Sequence, residues 1–205
     1  METKILKSTK ENILKAVEIL KKGEVLAVPT ETVYGLIADV FCDKAIEEIF
    51  KIKKRDKEKA LSCNISNIEM LFSLTDYESK IFKKLREKFW PGPLTIVVGK
   101  KHSVSDLVTA GKSTVAVRFS SNNILKNITS LFGGPLVVPS ANISKNKSKI
   151  NAYDVYRELK GKVKYIIDGG ESEHKVESTI VSIKGDELKI LRHGAIKQEE
   201  IFSVM

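Results

Sequence analysis

The sequence predicts one α/β domain with a mixed sheet. Short apolar runs of strand length alternate along the chain with segments whose apolar residues recur at helical spacing. Two late apolar runs, residues 178–183 and 188–192, are separated by a turn at residues 184–186 and indicate a strand pair. The chain has no internal repeat and no linker long enough to divide it, so residues 1–205 are predicted to form a single domain.

The helices are predicted from apolar residues at every third or fourth position. Ser8 and Glu11 fit a capping box at the start of the first helix, and Thr75 and Glu78 fit a second box before the third helix. Asp43 is the predicted cap of the second helix. The apolar faces lie within residues 13–20, 45–52, 81–89, 124–131 and 155–159, and a short last helix holds residues 196 and 201.

The strands are predicted from short apolar runs, two of which end at a proline. Residues 25–28 precede Pro29 and residues 136–138 precede Pro139, and proline cannot donate a hydrogen bond to a sheet ladder. A polar loop with hydroxyl groups follows each proline. Because the same arrangement occurs twice, we expect both loops to face one cleft. Further strands are predicted at residues 36–38, 61–65, 94–98, 114–118 and 163–168.

The composition is that of a globular chain with excess positive charge. Charged residues make up 30% and apolar residues 42% of the chain, and the net charge of +9 favours an anionic partner such as a nucleotide or RNA. The N-terminus lacks an apolar signal-peptide core and no run approaches membrane-spanning length, so a cytoplasmic protein without membrane contact is expected. Cys42 and Cys63 have no metal-type spacing and are predicted to be buried free thiols.

The common catalytic motifs are absent from the sequence. Residues 111–113 read Gly-Lys-Ser, but Asp106 stands where a phosphate-binding loop needs its first glycine. There is no Gly-x-Ser-x-Gly elbow, no His-Glu-x-x-His and no Gly-x-Gly-x-x-Gly. What remains at the strand ends is hydroxyls, amides and cations, which suit anion binding and transfer chemistry based on positioning. The histidines lie in polar contexts and are predicted to be surface residues: His102, His174 and His193.

Three further features have a structural and a functional interpretation. Arg118 ends a predicted strand, and because a buried arginine is costly when unpaired, it should meet a carboxylate of the protein or of a ligand. The charged run at residues 53–59 is either a solvated face or a phosphate-binding segment beside a strand edge. Trp90 precedes Pro-Gly-Pro and is predicted to be a core anchor.

Seven motifs occur in the order seen in the YrdC family, and the chain resembles that family from about residue 14 to residue 192. The motifs are Pro-Thr-Glu-Thr-Val-Tyr-Gly at 29–35, Lys-Lys-Arg at 53–55, Trp-Pro-Gly-Pro-Leu-Thr at 90–95, Val-Arg at 117–118, Pro-Ser-Ala-Asn-Ile-Ser at 139–144, Ser-Thr-Ile-Val at 178–181 and Leu-Arg at 191–192. The resemblance is to the short, single-domain form. It implies an open, twisted α/β sheet around a deep, positively charged cavity.

The resemblance also implies a reaction. L-threonine, bicarbonate and ATP, with Mg2+ as cofactor, would give L-threonylcarbamoyl-AMP and pyrophosphate. The product would pass to a tRNA threonylcarbamoyl-transferase complex for the t6A modification of adenosine 37, and a contact with tRNA or double-stranded RNA is an open expectation. Two alternatives stay open: an RNA-binding protein of the same fold without this catalysis, and a carbamoyl-adenylate enzyme for another substrate. Aromatic residues are only 7% of the chain, which argues against a base-stacking platform.

The resemblance assigns roles to particular residues of this sequence. The catalytic tetrad would be Lys53, Arg55, Ser140 and Asn142. ATP would contact Arg55, Lys59, Thr114, Asn142 and Arg192. L-threonine would contact Thr32, Asn64, Arg118, Ser140 and Ser178, although many family members carry a histidine at the position of Asn64. No side chain is expected to bind a metal directly.

Overall fold

The computed structural model describes residues 1–185 and 187–204 and has a ten-stranded sheet with seven α-helices in that part of the chain. The strands are β1 (Lys4–Lys7), β2 (Leu26–Val28), β3 (Gly35–Asp39), β4 (Ser62–Asn64), β5 (Leu94–Gly99), β6 (Thr114–Arg118), β7 (Leu136–Val137), β8 (Tyr165–Asp168), β9 (Thr179–Lys184) and β10 (Glu187–Arg192). The helices are α1 (Lys10–Lys21), α2 (Asp43–Lys53), α3 (Lys80–Phe89), α4 (Asp106–Thr109), α5 (Asn123–Phe132), α6 (Ala152–Leu159) and α7 (Gln198–Phe202). A 3-10 helix covers Glu69–Ser73.

The strands follow the order β1-β8-β2-β3-β7-β4-β6-β5-β9-β10, which leaves β1 and β10 as the two edges. The pairs β1/β8, β2/β8, β4/β6 and β5/β9 are parallel, and the other pairs are antiparallel. The predicted open, twisted mixed sheet is therefore confirmed. The late strand pair is β9 and β10; Asp186 of its predicted turn lies outside the described residues.

Three predicted helix starts are wrong by one to a few residues. Thr9, not Ser8, is the cap of α1, because Thr9 has the extended backbone that brings its Oγ1 to 3.3 Å from the amide of Asn12. Likewise, α3 starts after Ser79, whose hydroxyl accepts from Phe82 N at 3.1 Å.

The remaining residues of the predicted caps have other partners. Thr75 donates to the carbonyl of Gly99, and Glu78 forms an ion pair of 2.7 Å with Arg86. Asp43 is the first residue inside α2, since the N-cap position belongs to the preceding residue. Local sequence offers several capping candidates within a few positions, and the backbone path decides between them.

Two hydrophobic clusters cover the sheet on opposite faces. Leu26 and Val28 belong to the cluster formed with α1 and α5, whereas Ala27 between them belongs to the larger cluster with α2, α3 and α6. This alternation is the two-residue period of a strand that is buried on both sides. Leu14 and Leu131, which the helical pattern placed on apolar faces, are instead 45% and 52% exposed.

Trp90 and Cys63 have the structural roles that the sequence predicts, whereas Cys42 is less buried than predicted. Trp90 is buried, its indole nitrogen donates to Leu94 O at 2.8 Å, and its ring packs edge-on against Phe82. Cys63 is buried and Cys42 half-buried, and both are free thiols. Burial raises the pKa of Cys63 to about 12, so this thiol stays protonated and inert. None of the described helices combines the length and apolar character that a membrane crossing requires.

Candidate active site

Two polar loops form the floor of a cavity at the ends of β2 and β7. Leu36 N donates to Pro139 O at 2.9 Å, and Ala141 N donates to Tyr34 O at 2.7 Å, so the loops that follow the two prolines lie side by side. The prediction that both loops face one cleft is confirmed. Six of the predicted site residues line this cavity: Thr32, Arg55, Arg118, Ser140, Ser178 and Arg192.

Gly35 permits this close approach of the two loops. A Cβ at position 35 would lie 2.6 Å from Val138 Cγ1 and 3.2 Å from Pro139 O. Neither the strand nor its neighbour can shift to make room, because Gly35 pairs with Val28 on one side and bridges to Ser140 on the other. The glycine that ends the first motif is thus required by the packing of two backbones.

The hydroxyl of Thr30 organises the first loop from within. Its Oγ1 accepts the amides of Thr32 at 3.1 Å and Val33 at 3.2 Å, and it donates to Val33 O at 2.7 Å. Thr32 Oγ1 lies 2.8 Å from Thr30 Oγ1 and accepts a hydrogen bond of 2.9 Å from Arg118 Nη1. Thr30 therefore shapes the loop, and Thr32 presents its side chain to the cavity.

Arg118 finds its carboxylate in the protein, which confirms the prediction of such a partner. Its Nη2 lies 2.7 Å from Glu31 Oε1, and its Nε donates to Gly92 O at 3.2 Å. The Glu31 carboxylate also accepts the hydroxyl of Ser120 and, at 3.2 Å, the amide of Ser121. Nη2 is buried beside Glu31, so Nη1 is the terminal nitrogen that keeps one N–H for a ligand, since each terminal nitrogen carries two.

The pKa of Glu31 is the result of opposing effects. Burial would raise it, because the ionised carboxylate loses water. The positive charge of Arg118 and the hydrogen bond from Ser120 outweigh this, and the pKa lies below its ordinary value. Glu31 is therefore ionised at neutral pH and holds Arg118 in place.

Arg55 and Arg192 bring two more guanidinium groups to the cavity. Arg55 donates to Lys59 O at 3.1 Å and Ala60 O at 2.9 Å. Arg192 donates to Ser178 O through Nε at 3.1 Å and Nη2 at 2.8 Å, and to Ser178 Oγ at 3.0 Å. Burial lowers the pKa of both arginines, but a guanidinium remains charged in proteins. The cavity is basic, as the resemblance implies.

Lys53 lies beneath the second loop and does not line the cavity. Its side chain is 1% exposed, and its Nζ donates to Ser140 O and, at 2.8 Å, to Asn142 O. Burial, followed by the charge of Arg55, lowers the pKa of Lys53 to about 7. Asn142 also turns away from the cavity, because its amide nitrogen donates to Ile143 O at 2.9 Å and Asn146 O at 2.7 Å.

Three other predicted residues also lie outside the cavity lining. Asn64 is buried; its Oδ1 accepts from Ser120 N at 3.0 Å, so it supports the segment that contacts Glu31. Thr114 begins β6 opposite Gly99, and Lys59 is exposed in the loop after α2. The charged run at 53–59 is therefore mixed: Lys53 is buried, Arg55 faces the cavity, and Lys57 and Lys59 are solvated.

Sequence reasoning missed one charged residue at this site. Glu177 lines the cavity, and its Oε1 accepts a hydrogen bond of 2.6 Å from Ser148 Oγ. The position of Glu177 directly before Ser178 is the one sequence signal that could have found it.

Within residues 1–185 and 187–204, no group of three or more histidine, cysteine or acidic side chains is arranged to hold a metal ion. A Mg2+ ion here would depend on oxygen atoms of a bound phosphate for most of its ligands.

The chain matches known proteins in sequence and in backbone structure. The family model described as telomere recombination, which covers the Sua5, YciO and YrdC proteins, matches residues 18–194. The chain belongs to the Sua5–YciO–YrdC family. It is 37% identical over 190 residues to threonylcarbamoyl-AMP synthase of Pyrococcus abyssi, a match that covers 93% of this chain and 56% of the relative. It is 36% identical to the enzyme of the same name in Bacillus subtilis, over 98% of this chain and 58% of the relative.

A solved structure of the Sua5–YciO–YrdC family has almost the same backbone. The crystal structure of P. abyssi Sua5 complexed with L-threonine matches with a TM-score of 0.96 and 36% identity, over 99% of this chain and 61% of that chain. This chain spans little more than half the length of these relatives. The shared part contains every residue of the cavity described above.

Proposed function

We propose that this chain is an L-threonylcarbamoyladenylate synthase, a nucleotidyltransferase that converts L-threonine, bicarbonate and ATP to L-threonylcarbamoyl-AMP and pyrophosphate. The observation that carries the proposal is one cavity in which three arginines converge with hydroxyl groups, in a chain of this family. The names of the relatives from P. abyssi and B. subtilis, and the threonine bound to P. abyssi Sua5, support it.

The amino acid would bind beside Arg118. A carboxylate can accept the N–H that Nη1 has left, and a charged hydrogen bond of this kind contributes about 1.5–3 kcal/mol. The hydroxyls of Thr32 and Ser178 lie on the same wall, where they would meet the threonine hydroxyl or carboxylate. Asn64 would support threonine binding indirectly, because it contacts Ser120, which in turn contacts Glu31. Ser140 would close the pocket from the second loop.

The nucleotide would bind between Arg55 and Arg192. The two guanidinium groups would neutralise phosphate oxygens, with Lys59 reaching in from the adjacent loop. Thr114 and Asn142 would contact the nucleotide only after a movement, because neither lines the cavity in this structure. When bound with ATP, Mg2+ would offset charge on the phosphates and on departing pyrophosphate.

The residues of this chain position the reacting groups and need no covalent bond to them. The threonine amine must be neutral to take up CO2 or bicarbonate, and a carbamate oxygen then attacks the α-phosphorus as pyrophosphate leaves. Lys53 would hold the backbone of Ser140 and Asn142 in place during this step. Arg55 would stabilise the negative charge that develops, in a site where few waters compete.

The test of the proposed function is pyrophosphate release. The purified chain, incubated with ATP, Mg2+, bicarbonate and L-threonine, is expected to release pyrophosphate only when threonine is present. Equal release with serine would contradict the choice of substrate, and equal release without an amino acid would contradict the reaction. Transfer of the product to a tRNA threonylcarbamoyl-transferase complex, in the cytoplasm, is part of the same proposal.

One observation favours RNA contact as a second property. The lining of a surface hollow near the N-terminus contains two glutamates and five lysines. The lysines are Lys22, Lys44, Lys51, Lys162 and Lys164. Such a surface attracts phosphate backbones in a manner that depends on salt. If the chain were an RNA-binding protein without catalysis, RNA affinity would fall steeply with salt and no pyrophosphate would form.

A further inference from the structure

We propose that Glu177 binds the ammonium group of the amino-acid substrate, so that the cavity recognises the zwitterion of a free α-amino acid. This inference rests on the proposed function and adds a residue to its amino-acid site. The position of Glu177 directly before Ser178 is its one signal in the sequence, and the structure places it on the cavity lining.

Glu177 is the one acidic residue among the described residues that line the cavity. The other charged groups of the lining are the guanidiniums of Arg55, Arg118 and Arg192. The negative charge of a carboxylate repels phosphate and attracts an ammonium group. The carboxylate therefore points to a ligand that also carries a positive charge.

The backbone on both sides of Glu177 is fixed. Its carbonyl accepts from Ala195 N at 3.0 Å, and the carbonyl of Ser178 accepts from Arg192. Gly194 allows this packing, because a Cβ there would lie 2.5 Å from the carbonyl carbon of Ser178. The side chain is therefore held at a defined position on the cavity wall.

Only one oxygen of the carboxylate has a protein partner. Oε1 accepts the hydroxyl of Ser148, whereas Oε2 has no hydrogen bond within residues 1–185 and 187–204. No lysine, arginine or histidine in that part of the chain forms an ion pair with Glu177. Arg192 interacts electrostatically with the half-buried Glu177 carboxylate, but Oε2 is left to accept a hydrogen bond from a bound ammonium group, while Ser148 occupies the other oxygen.

The two charged ends of an amino acid have complementary groups in the cavity. Arg118 offers an N–H of Nη1 for the carboxylate, and Glu177 offers Oε2 for the ammonium group. Both residues line the same cavity. Binding at Glu177 would place the nitrogen that is to be carboxylated, and the carboxylate would accept the proton that the ammonium group loses before this nitrogen attacks.

The experiment measures ligand affinity by calorimetry on the whole chain, in EDTA and without ATP. The ligands are L-threonine and 2,3-dihydroxybutanoate of the same configuration, which keeps the carboxylate and the side chain but has a hydroxyl in place of the ammonium group. Glu177→Gln is expected to weaken threonine binding at least tenfold and to leave binding of the hydroxy acid within twofold. Glu173→Gln, in an exposed position of the same loop, is the matched control and should change neither affinity.

The outcomes separate the inference from the function on which it rests. Equal threonine affinity for the wild-type chain and Glu177→Gln, or an equal loss for both ligands, would overturn the role of Glu177 while leaving threonine binding intact. A wild-type chain that binds no threonine would overturn the proposed function and the inference together. Thermal melting of each variant confirms that the compared chains are folded.

Discussion

Each guanidinium in the cavity is already held by oxygen atoms of the protein before a ligand binds. The carbonyls of Lys59 and Ala60 hold Arg55, and Ser178 holds Arg192. Side chains fixed in this way lose little rotamer freedom when a substrate arrives, so more of the electrostatic attraction appears as binding and catalysis. The cavity is preorganised at the level of single residues.

Replacement of Arg55 tests this preorganisation. Arg55→Ala is expected to lower the rate of pyrophosphate release at least tenfold, because a charge that faces the phosphates is lost. Lys57→Ala is the control, since Lys57 is exposed in the same loop and pairs with Glu47 at 3.4 Å, away from the cavity lining. Near-normal turnover by an Arg55→Ala chain that melts cooperatively would contradict the role proposed for Arg55.

Arg118 also contributes to stability, because its removal leaves the buried carboxylate of Glu31 without its ion-pair partner. Arg118→Ala is expected to raise the KM for threonine more than the KM for ATP and to lower the free energy of unfolding by about 3–5 kcal/mol, the usual cost of breaking a buried ion pair. Steady-state kinetics with each substrate varied, together with urea unfolding, measure the two effects.

A double variant separates binding from stability at this pair. Arg118→Ala with Glu31→Gln removes the unpaired charge and should recover part of the lost stability without recovering threonine use. If the double variant regained a normal KM for threonine, Arg118 would have no direct part in binding. A larger rise in the KM for ATP than for threonine would likewise contradict the proposed pairing.

At the scale of secondary-structure elements, the second polar loop is held by two helices. Lys53 at the end of α2 holds Ser140 and Asn142 from below. Glu158 of α6 accepts from Ile143 N at 2.6 Å and pairs with Lys149 at 2.5 Å. The loop that carries Ser140 is therefore fixed by charged side chains that do not touch the cavity.

Replacement of Glu158 tests the support from α6. Glu158→Ala is expected to reduce turnover several-fold, because the Ile143 amide, the Asn146 amide group and the Lys149 ammonium lose their shared acceptor. Glu158→Gln keeps one acceptor oxygen and should restore part of the activity, which a purely structural defect would not predict. Arg157→Ala, on the exposed side of the same helix, is the control; a loss equal to that of Glu158→Ala would contradict the specific role.

The sequence predicts the secondary-structure elements more accurately than the individual contacts that hold these elements in place. The apolar runs and the two prolines correctly predict a mixed sheet with two loops at one cleft, because burial and the missing proline N–H act locally. The edge strand β1 was not predicted, since two of its four residues are lysines and its pairing with β8 is set by the fold. The caps of α1 and α3 were predicted at the wrong residues, because several hydroxyl residues near each helix start can act as the cap.

The direction of polar side chains also escapes sequence reasoning. Lys53 and Arg55 lie in one charged run, yet one is buried beneath a loop and the other faces the cavity, because a helix end and a left-handed residue at Lys54 separate them. Glu177 directly precedes the Ser-Thr-Ile-Val motif, but the motif does not predict that its side chain lines the cavity. Its place depends on the packing of a distant segment at Gly194, which only the three-dimensional structure reveals.

At the scale of the whole molecule, Glu31 joins the two halves of the sheet. It follows β2, and its carboxylate contacts Arg118 at the end of β6 and Ser120 just beyond it. The same carboxylate thus contributes to the site and to global stability. Any condition that protonates Glu31 weakens both.

Acid unfolding is the measurement for this link. A carboxylate with a lowered pKa contributes stability fully above its ordinary value of 4.5 and loses that contribution as the pH falls through the lower value of the folded state. The difference in free energy of unfolding between the wild-type chain and Glu31→Gln should therefore be constant from pH 7 to about 5 and shrink below that. A difference that does not change down to pH 3 would contradict the assigned pKa direction.

The floor of the cavity consists of two backbones that share hydrogen bonds at Leu36 and Ala141. A floor of this kind cannot serve as a hinge. Any movement that admits substrates has to come from other segments around the cavity, near Ser148 and Glu177. The amide protons of Leu36 and Ala141 should then exchange with deuterated solvent only when the whole domain opens. Fast exchange at these two amides in a stable chain would show instead that the floor itself moves.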